Sequence, residues 1–146
     1  VKKRKVFNHE TQSGGIKLKA GQIMRKPVLA VTPQASIRDI AIQLVSNEIS
    51  GMPVVERDGT VRGIVTEADI LRVQATGKQL DKLTARDIMS ANPIGVDVET
   101  PMEEIKTLLM EYHILRVPVI EDGKLVGIIS RRDLIRAMLQ PEFLIF

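Results

Sequence analysis

The chain has 146 residues, 27% of them charged, with no Cys and 3% aromatic residues. That is the size of one ordinary domain, able to bury roughly 70% of its unfolded surface. The absence of thiols excludes a disulfide frame, a thiolate nucleophile and a Cys-based zinc site, and His9 and His113 lie too far apart for a His-rich metal motif.

Charge is placed unevenly. Residues 1–20 hold six Lys/Arg against the single Glu10, so the rest of the chain is slightly acidic despite a total of +3. Bulk charge therefore argues against a nucleic-acid surface on the folded part, and four aromatic residues are too few for a base-stacking platform. No apolar run approaches the roughly 18 residues needed to span a bilayer, and no signal-peptide pattern opens the chain. The expectation is a cytoplasmic protein with no membrane partner.

Residues 1–17 read as a flexible basic arm ending near Ser13-Gly14-Gly15. The cluster Lys2-Lys3-Arg4-Lys5 matches a nuclear localisation pattern, but short basic runs of this kind are most simply solvated. An apolar approach through Leu18, Ile23 and Met24 leads to an extended stretch, Val28 to Val31. Ser36-Ile37-Arg38-Asp39 has capping-box spacing and opens a helix with Ile37, Ile40, Ala41, Leu44 and Val45 on one face. Gly51 to Val55 is a strand, Arg57-Asp58-Gly59 a tight turn, and Val61 to Val65 the returning strand. Thr66 starts a second helix that Gly77 can end.

After a connector at 77–82 the order recurs. Thr100-Pro101-Met102-Glu103 reads as a capping box before a helix with Met102, Ile105, Leu109 and Met110 on its apolar face. Val117 to Ile120, Asp122-Gly123 and Leu125 to Ile129 form a second hairpin. Ser130 opens the last helix, which Pro141 stops.

The recurrence is a repeat. Residues 18–56 align with 83–121 at an offset of 65, and after the unmatched Arg57, 58–72 align with 122–136 at an offset of 64. A period this long marks two copies of a supersecondary unit. One such unit is marginal alone, so two copies with two-fold pseudosymmetry are expected. The fold class is α/β (α+β), each motif being strand, helix, strand, strand, helix. The expected divisions are the arm at 1–17, motif 1 at 18–76, the connector at 77–82, motif 2 at 83–140 and a tail at 141–146.

The repeat includes a small site. Gly63-Ile64-Val65-Thr66-Glu67-Ala68-Asp69 returns as Gly127-Ile128-Ile129-Ser130-Arg131-Arg132-Asp133. A hydroxyl three residues before a carboxylate is the spacing of a helix capping box. It also stands where a strand feeds a helix N-terminus, a place that favours anions. An ionised Asp can accept hydrogen bonds from both hydroxyls of a ribose, while Thr or Ser can donate to a neighbouring phosphate oxygen.

Taken in order and twice over, Ile-Met, the apolar-Pro-apolar-apolar strand, the Asp-Gly hairpin and the Gly-apolar-apolar-Thr/Ser-x-x-Asp phrase resemble a tandem pair of CBS motifs, or Bateman module. The resemblance implies a regulatory module and not an enzyme, similar to the sensor region of the gamma subunit of AMP-activated protein kinase and the inserted domain of IMP dehydrogenase. It implies an adenosine-containing ligand, AMP, ADP, ATP or S-adenosylmethionine, held in clefts between the motifs, with no required cofactor. A homodimer and an effector protein that receives the signal are also implied.

Carried over to this chain, Thr66 and Asp69 would face Ile94, Gly95, Ile114, Leu115, Arg116 and Pro118. Ser130, Asp133 and Arg131 would join Lys26, Val28, Ile49, Ser50, Gly51 and Pro53. Arg116 stands where motif 1 has Gly51 and could grip a phosphate, which makes the Asp69 side the stronger candidate. Arg132 could help neutralise a phosphate, backbone groups of Leu29 or Gly95 could read adenine, and His113 is most simply a polar residue near a helix end. The competing reading is a structural or interaction module with empty clefts, its basic arm touching nucleic acid or an acidic partner. No P-loop, nucleophile elbow, Gly-x-Gly-x-x-Gly or metal-ligand cluster supports an enzyme.

Overall fold

The computed structural model describes residues 17–139; nearly all of the basic arm, the 141–146 tail and the Pro141 helix stop lie outside the described residues. The elements in chain order are α1 (Ala20–Ile23), α2 (Ile37–Ser46), β1 (Gly51–Val55), β2 (Val61–Thr66), α3 (Glu67–Ala75), a 3-10 turn (Leu80–Lys82), α4 (Ala85–Ile88), β3 (Ser90–Ala91), α5 (Met102–Glu111), β4 (Arg116–Glu121), β5 (Lys124–Ser130) and α6 (Arg131–Leu139). The class is mixed α+β, with an antiparallel sheet in the order β1-β2-β3 and a second made of β4 and β5. Among the described residues no helix is long and apolar enough to cross a membrane.

Two compact units are present, and they do not follow the repeat boundaries. Leu29–Pro93 form one unit, while residues 17–28 join 94–139 in the other. In the first, β1 buries Met52 and Val54 within a continuous buried run, alternation along β2 buries Val61 and Val65, and α2 packs Ile37, Ile40 and Leu44 into the same core. Val45, expected on that apolar face, is 80% exposed. In the second unit, α5 buries Ile105, Leu108 and Leu109 beside Val117, Val119 and Ile129, and leaves Met110, also expected inward, in solvent. In each helix the stripe at i, i+3 or i+4 is narrower than the sequence face and excludes its last residue.

The four-residue helices α1 and α4 are too short to persist alone. Backbone bonds hold them in place in the same pattern. Ala85 N donates to Ala35 O at 2.8 Å, Arg86 N to Pro33 O at 3.0 Å, and Ile37 N to Leu83 O at 2.8 Å. In the other unit Ala20 N donates to Thr100 O at 2.8 Å, Gly21 N to Val98 O at 2.9 Å, and Met102 N to Leu18 O at 2.9 Å. The Leu18 to Met24 approach thus completes the unit that carries the second hairpin, with Leu18, Ala20 and Ile23 buried in its core. The matching approach supplies Ala85, with Leu83, Ile88 and Met89 packed around it, to the first.

The hairpin turns follow their sequences. Asp122 and Gly123 both adopt positive φ, at 53° and 78°, as a two-residue type I′ turn requires. In the first hairpin the extra Arg57 lengthens the loop, and Gly59 takes a φ of 92° while its N–H donates to Glu56 O. Both hairpins carry a bulge at the matching place, Val54/Val55 and Val119/Ile120.

Two local expectations are corrected. The first strand of each motif is reduced to a single parallel bridge, Val31 with Val54 and Val96 with Val119, because Pro33 and the turn at 32–35 end the extended stretch in the first, and the turn closed by Thr100 N donating to Asp97 O ends it in the second. The Thr100 capping box does not form. Its hydroxyl accepts instead from Asp97 N at 3.0 Å, and Pro101 takes the N-cap position of α5. Ser36, by contrast, caps α2 by accepting from Asp39 N.

Candidate functional site

Each repeated phrase ends as a closed box at a strand-to-helix junction. Thr66 is the extended N-cap of α3: its N–H donates to Asp69 Oδ2 at 2.8 Å, its hydroxyl lies 2.9 Å from the same oxygen, and Asp69 N returns a bond to Thr66 Oγ1 at 3.3 Å. Ser130 and Asp133 repeat this at 2.8, 3.0 and 3.2 Å. The capping role of the motif is therefore realised in both copies.

A third box separates capping from what else these carboxylates do. Thr84 N donates to Asp87 Oδ2 at 2.8 Å and Thr84 Oγ1 to the same oxygen at 3.1 Å. The backbone bond first, and then the hydroxyl, hold the Asp87 carboxyl below its ordinary value although it is fully exposed. Asp69 and Asp133, with the same cap, are only 8% and 1% exposed. They are also clamped by arginine from the next helical turn: Arg72 Nη2 lies 2.6 Å from Asp69 Oδ1, and Arg136 Nη1 lies 3.0 Å from Asp133 Oδ1. Asp133 Oδ1 takes a further bond from Arg25 Nε at 2.8 Å. Buried carboxylates held this way are fixed, charged acceptors at a helix N-terminus.

The remaining predicted residues distribute between the two units. In the first, Ser50 O accepts from Glu67 N at 2.9 Å, Gly51 pairs with Thr66, Pro53 is buried in β1 and Ile49 packs on the core. Of these, Ser50 and Gly51 meet the box at its Thr66 end, while Pro53 pairs with Ile64. In the second, Arg131 N donates to Leu115 O and Arg131 Nε to Ile114 O, both at 3.1 Å, and Arg116 pairs with Ser130. Pro118 lies buried in β4, and Gly95 is buried with the place of a missing Cβ filled by Ile120. Lys26 is exposed, and Ile94 and Val28 are half-buried. Leu115 and Leu29 expose about half of their surface, 51% and 48%. Arg132 points to solvent, and His113 sits exposed at the end of α5 with a φ of 52°, as its counterpart Glu48 does after α2.

The exchange of Gly51 for Arg116 goes with a change in the facing residue. A Cβ on Gly51 would lie 3.2 Å from both the Thr66 methyl and Val65 O, whereas Ser130 has no methyl opposite Arg116. Three functional candidates were absent from the sequence reading: Arg25, Arg72 and Arg136. Arg72 and Arg136 were accessible, since both copies read Asp-x-x-Arg, a spacing that brings side chains together on a helix.

A family model for the CBS domain matches the chain twice, over residues 20–76 and 85–140. An uncharacterized protein of Methanopyrus kandleri is 31% identical over 118 residues, covering 80% of this chain and 60% of that protein. The chloroplastic CBS domain-containing protein CBSX2 of Arabidopsis thaliana is 28% identical over 157 residues, covering 88% of this chain and 66% of that one. The chain thus spans 60 to 66% of the length of these curated relatives. The crystal structure of CBSX2 in complex with AMP is similar at a TM-score of 0.76 and 32% identity, covering 86% of this chain and 98% of that chain. A CBS domain pair in complex with 5′-methylthioadenosine and S-adenosyl-L-methionine is similar at a TM-score of 0.73 and 29% identity, covering 82% and 98%.

Proposed function

We propose, from the premise that this chain belongs to the CBS-domain family as a tandem pair, that it is a regulatory module which binds an adenosine-containing ligand and passes its occupancy to a partner. The observation that carries this reading is the repeated, buried Thr/Ser-x-x-Asp box, which presents a fixed carboxylate and a hydroxyl at a helix N-terminus. The similar structures that hold AMP, 5′-methylthioadenosine and S-adenosyl-L-methionine support it, since the three share an adenosine with a ribose diol.

In this reading Asp69 or Asp133 accepts from the ribose hydroxyls, while the Thr66 or Ser130 hydroxyl keeps its one proton on that carboxylate and holds it in place. Ile49, Ile94, Ile114 and Leu115, with Val28, Pro53 and Pro118, supply apolar surface for adenine, while Ser50, Gly51 and Gly95 offer backbone groups to its edge. Lys26, Arg116 and Arg131 face phosphate charge. A homodimer is the proposed assembly, and no step of bond chemistry is assigned to the chain.

A thermal-shift series with AMP, ADP, ATP and S-adenosylmethionine tests the proposal. Ligand at 100 times its Kd stabilises a protein by about 2.7 kcal/mol, so one member of the series should raise the melting temperature of the parent and fail to do so for Asp69→Ala. A flat response to all four at millimolar concentration would favour the interaction-module reading.

A further inference from the structure

The two boxes have the same cap but not the same capacity to accept more hydrogen bonds. An ionised carboxylate offers about four lone-pair positions. At Asp133 all four are taken: Oδ2 by the Ser130 N–H and hydroxyl, Oδ1 by Arg25 and Arg136. At Asp69, among the described residues, three are taken, Oδ1 receiving Arg72 alone. Arg72 is also the most exposed of the three arginines, its side chain 71% exposed against 58% for Arg25 and 37% for Arg136.

The difference comes from one position of the repeat. Arg25 bridges Ile128 on the edge of the second hairpin, and its counterpart Ser90 pairs with Ile64 on the edge of the first. The backbones occupy matching places, but only an arginine is long enough to reach the carboxylate from there.

We propose that Arg25 is a built-in occupant of the ribose-accepting position at Asp133, so that the chain takes up a single adenosine ligand, on the Asp69 side, where Ser90 leaves the carboxylate open. This rests on the adenosine reading above and adds to it a specificity-determining residue for each side. A ribose diol at Asp69 uses the remaining acceptor position and displaces only the exposed Arg72. At Asp133 it must displace an arginine that ties the edge segment to α6.

Isothermal titration of the full chain with AMP decides the matter. The parent should show one site per chain, lost in Asp69→Ala. Arg25→Ser should show two sites, and the gained one should vanish again in the double variant Arg25→Ser with Asp133→Ala. The reciprocal change, Ser90→Arg at an exposed position, should weaken the parent site by about 10-fold or more, the usual effect of contesting one charge-assisted hydrogen bond. It carries the test if Arg25→Ser does not fold. Two equivalent sites on the parent would overturn the inference and leave the adenosine reading standing. Loss of a site in Arg25→Ser would make Arg25 a phosphate contact and overturn it as well. No saturable AMP uptake by any form would instead strike the adenosine reading itself, and the inference with it.

Discussion

Three carboxylates with one cap geometry and three degrees of enclosure form a graded series for stability. Replacing each by Ala removes the same capping bonds, and at the enclosed Asp69 and Asp133 losses of about 1 kcal/mol are typical of a lost cap. At Asp69 the ion pair with Arg72 is lost too, but that arginine is largely in water, so about 0.2 to 1 kcal/mol is added and the total is about 1 to 2 kcal/mol. At Asp133 two arginine bonds go, to Arg25 and Arg136, and the carboxylate they reach is 2% exposed. Charge-assisted bonds contribute about 1.5 to 3 kcal/mol when enclosed; discounted for the half-exposed arginines, the expected loss is about 2 to 4 kcal/mol. Asp87, fully exposed and with no arginine on its carboxylate among the described bonds, should lose least. Urea unfolding of the ligand-free chain, followed by far-UV circular dichroism, should rank the losses Asp133, Asp69, Asp87. Equal losses at all three, or a larger loss at Asp69 than at Asp133, would refute the reasoning that enclosure and arginine clamps separate them.

Three more expectations follow from the same geometry. Gly51→Ala places a methyl 3.2 Å from both the Thr66 methyl and Val65 O; Thr66→Ser relieves the first contact and leaves the second, so a double-mutant cycle should show a coupling of about 0.5 kcal/mol or more, and strict additivity would contradict it. Gly63→Ala sets a Cβ 2.7 Å from Ser90 O and should destabilise by about 1 to 3 kcal/mol, the range for overpacking, in the same urea assay. Because folding lowers the Asp87 carboxyl, its contribution is present above the unfolded value and is lost as pH falls through the folded one. NMR titration should find it below the free-peptide range near 3.9, and Asp87→Asn should remove that part of the acid sensitivity.

Much of this architecture was legible in the sequence because local chemistry determines it. Asp-Gly marks a tight turn, so both hairpins were placed, although positive φ at both residues is realised at Asp122-Gly123, and at Gly59 without Asp58 in the first hairpin, where the unmatched Arg57 lengthens the loop. The four longer helices, α2, α3, α5 and α6, were placed by caps and periodicity, with Thr100 misread because its hydroxyl had a competing donor in Asp97; the one-turn helices α1 and α4 were not read as helices. What the chain could not disclose is which copy each approach segment completes. Leu18, Ala20, Ile23 and Met24 are identical to Leu83, Ala85, Ile88 and Met89, so either segment suits either core by composition. Contacts at an offset near 80 residues, such as Ala20 N with Thr100 O, leave no local signal. The carboxylates of the candidate site were legible from the repeat. Arg25 was not, because its partner lies 108 residues away and its counterpart is Ser90.

The exchange of approach segments between the units sets an order of events on the ribosome. Residues 17–28 emerge before Leu29–Pro93, yet the core that receives Leu18, Ala20 and Ile23 is not complete until α6 has been made. Leu29–Pro93 contain all of their own core, so that unit can close first, while Leu18, Ala20 and Ile23 wait. At about 5 to 20 residues per second that wait lasts several seconds, during which these side chains have no finished core to enter. A break in the 77–82 connector would leave each fragment holding the other's missing piece.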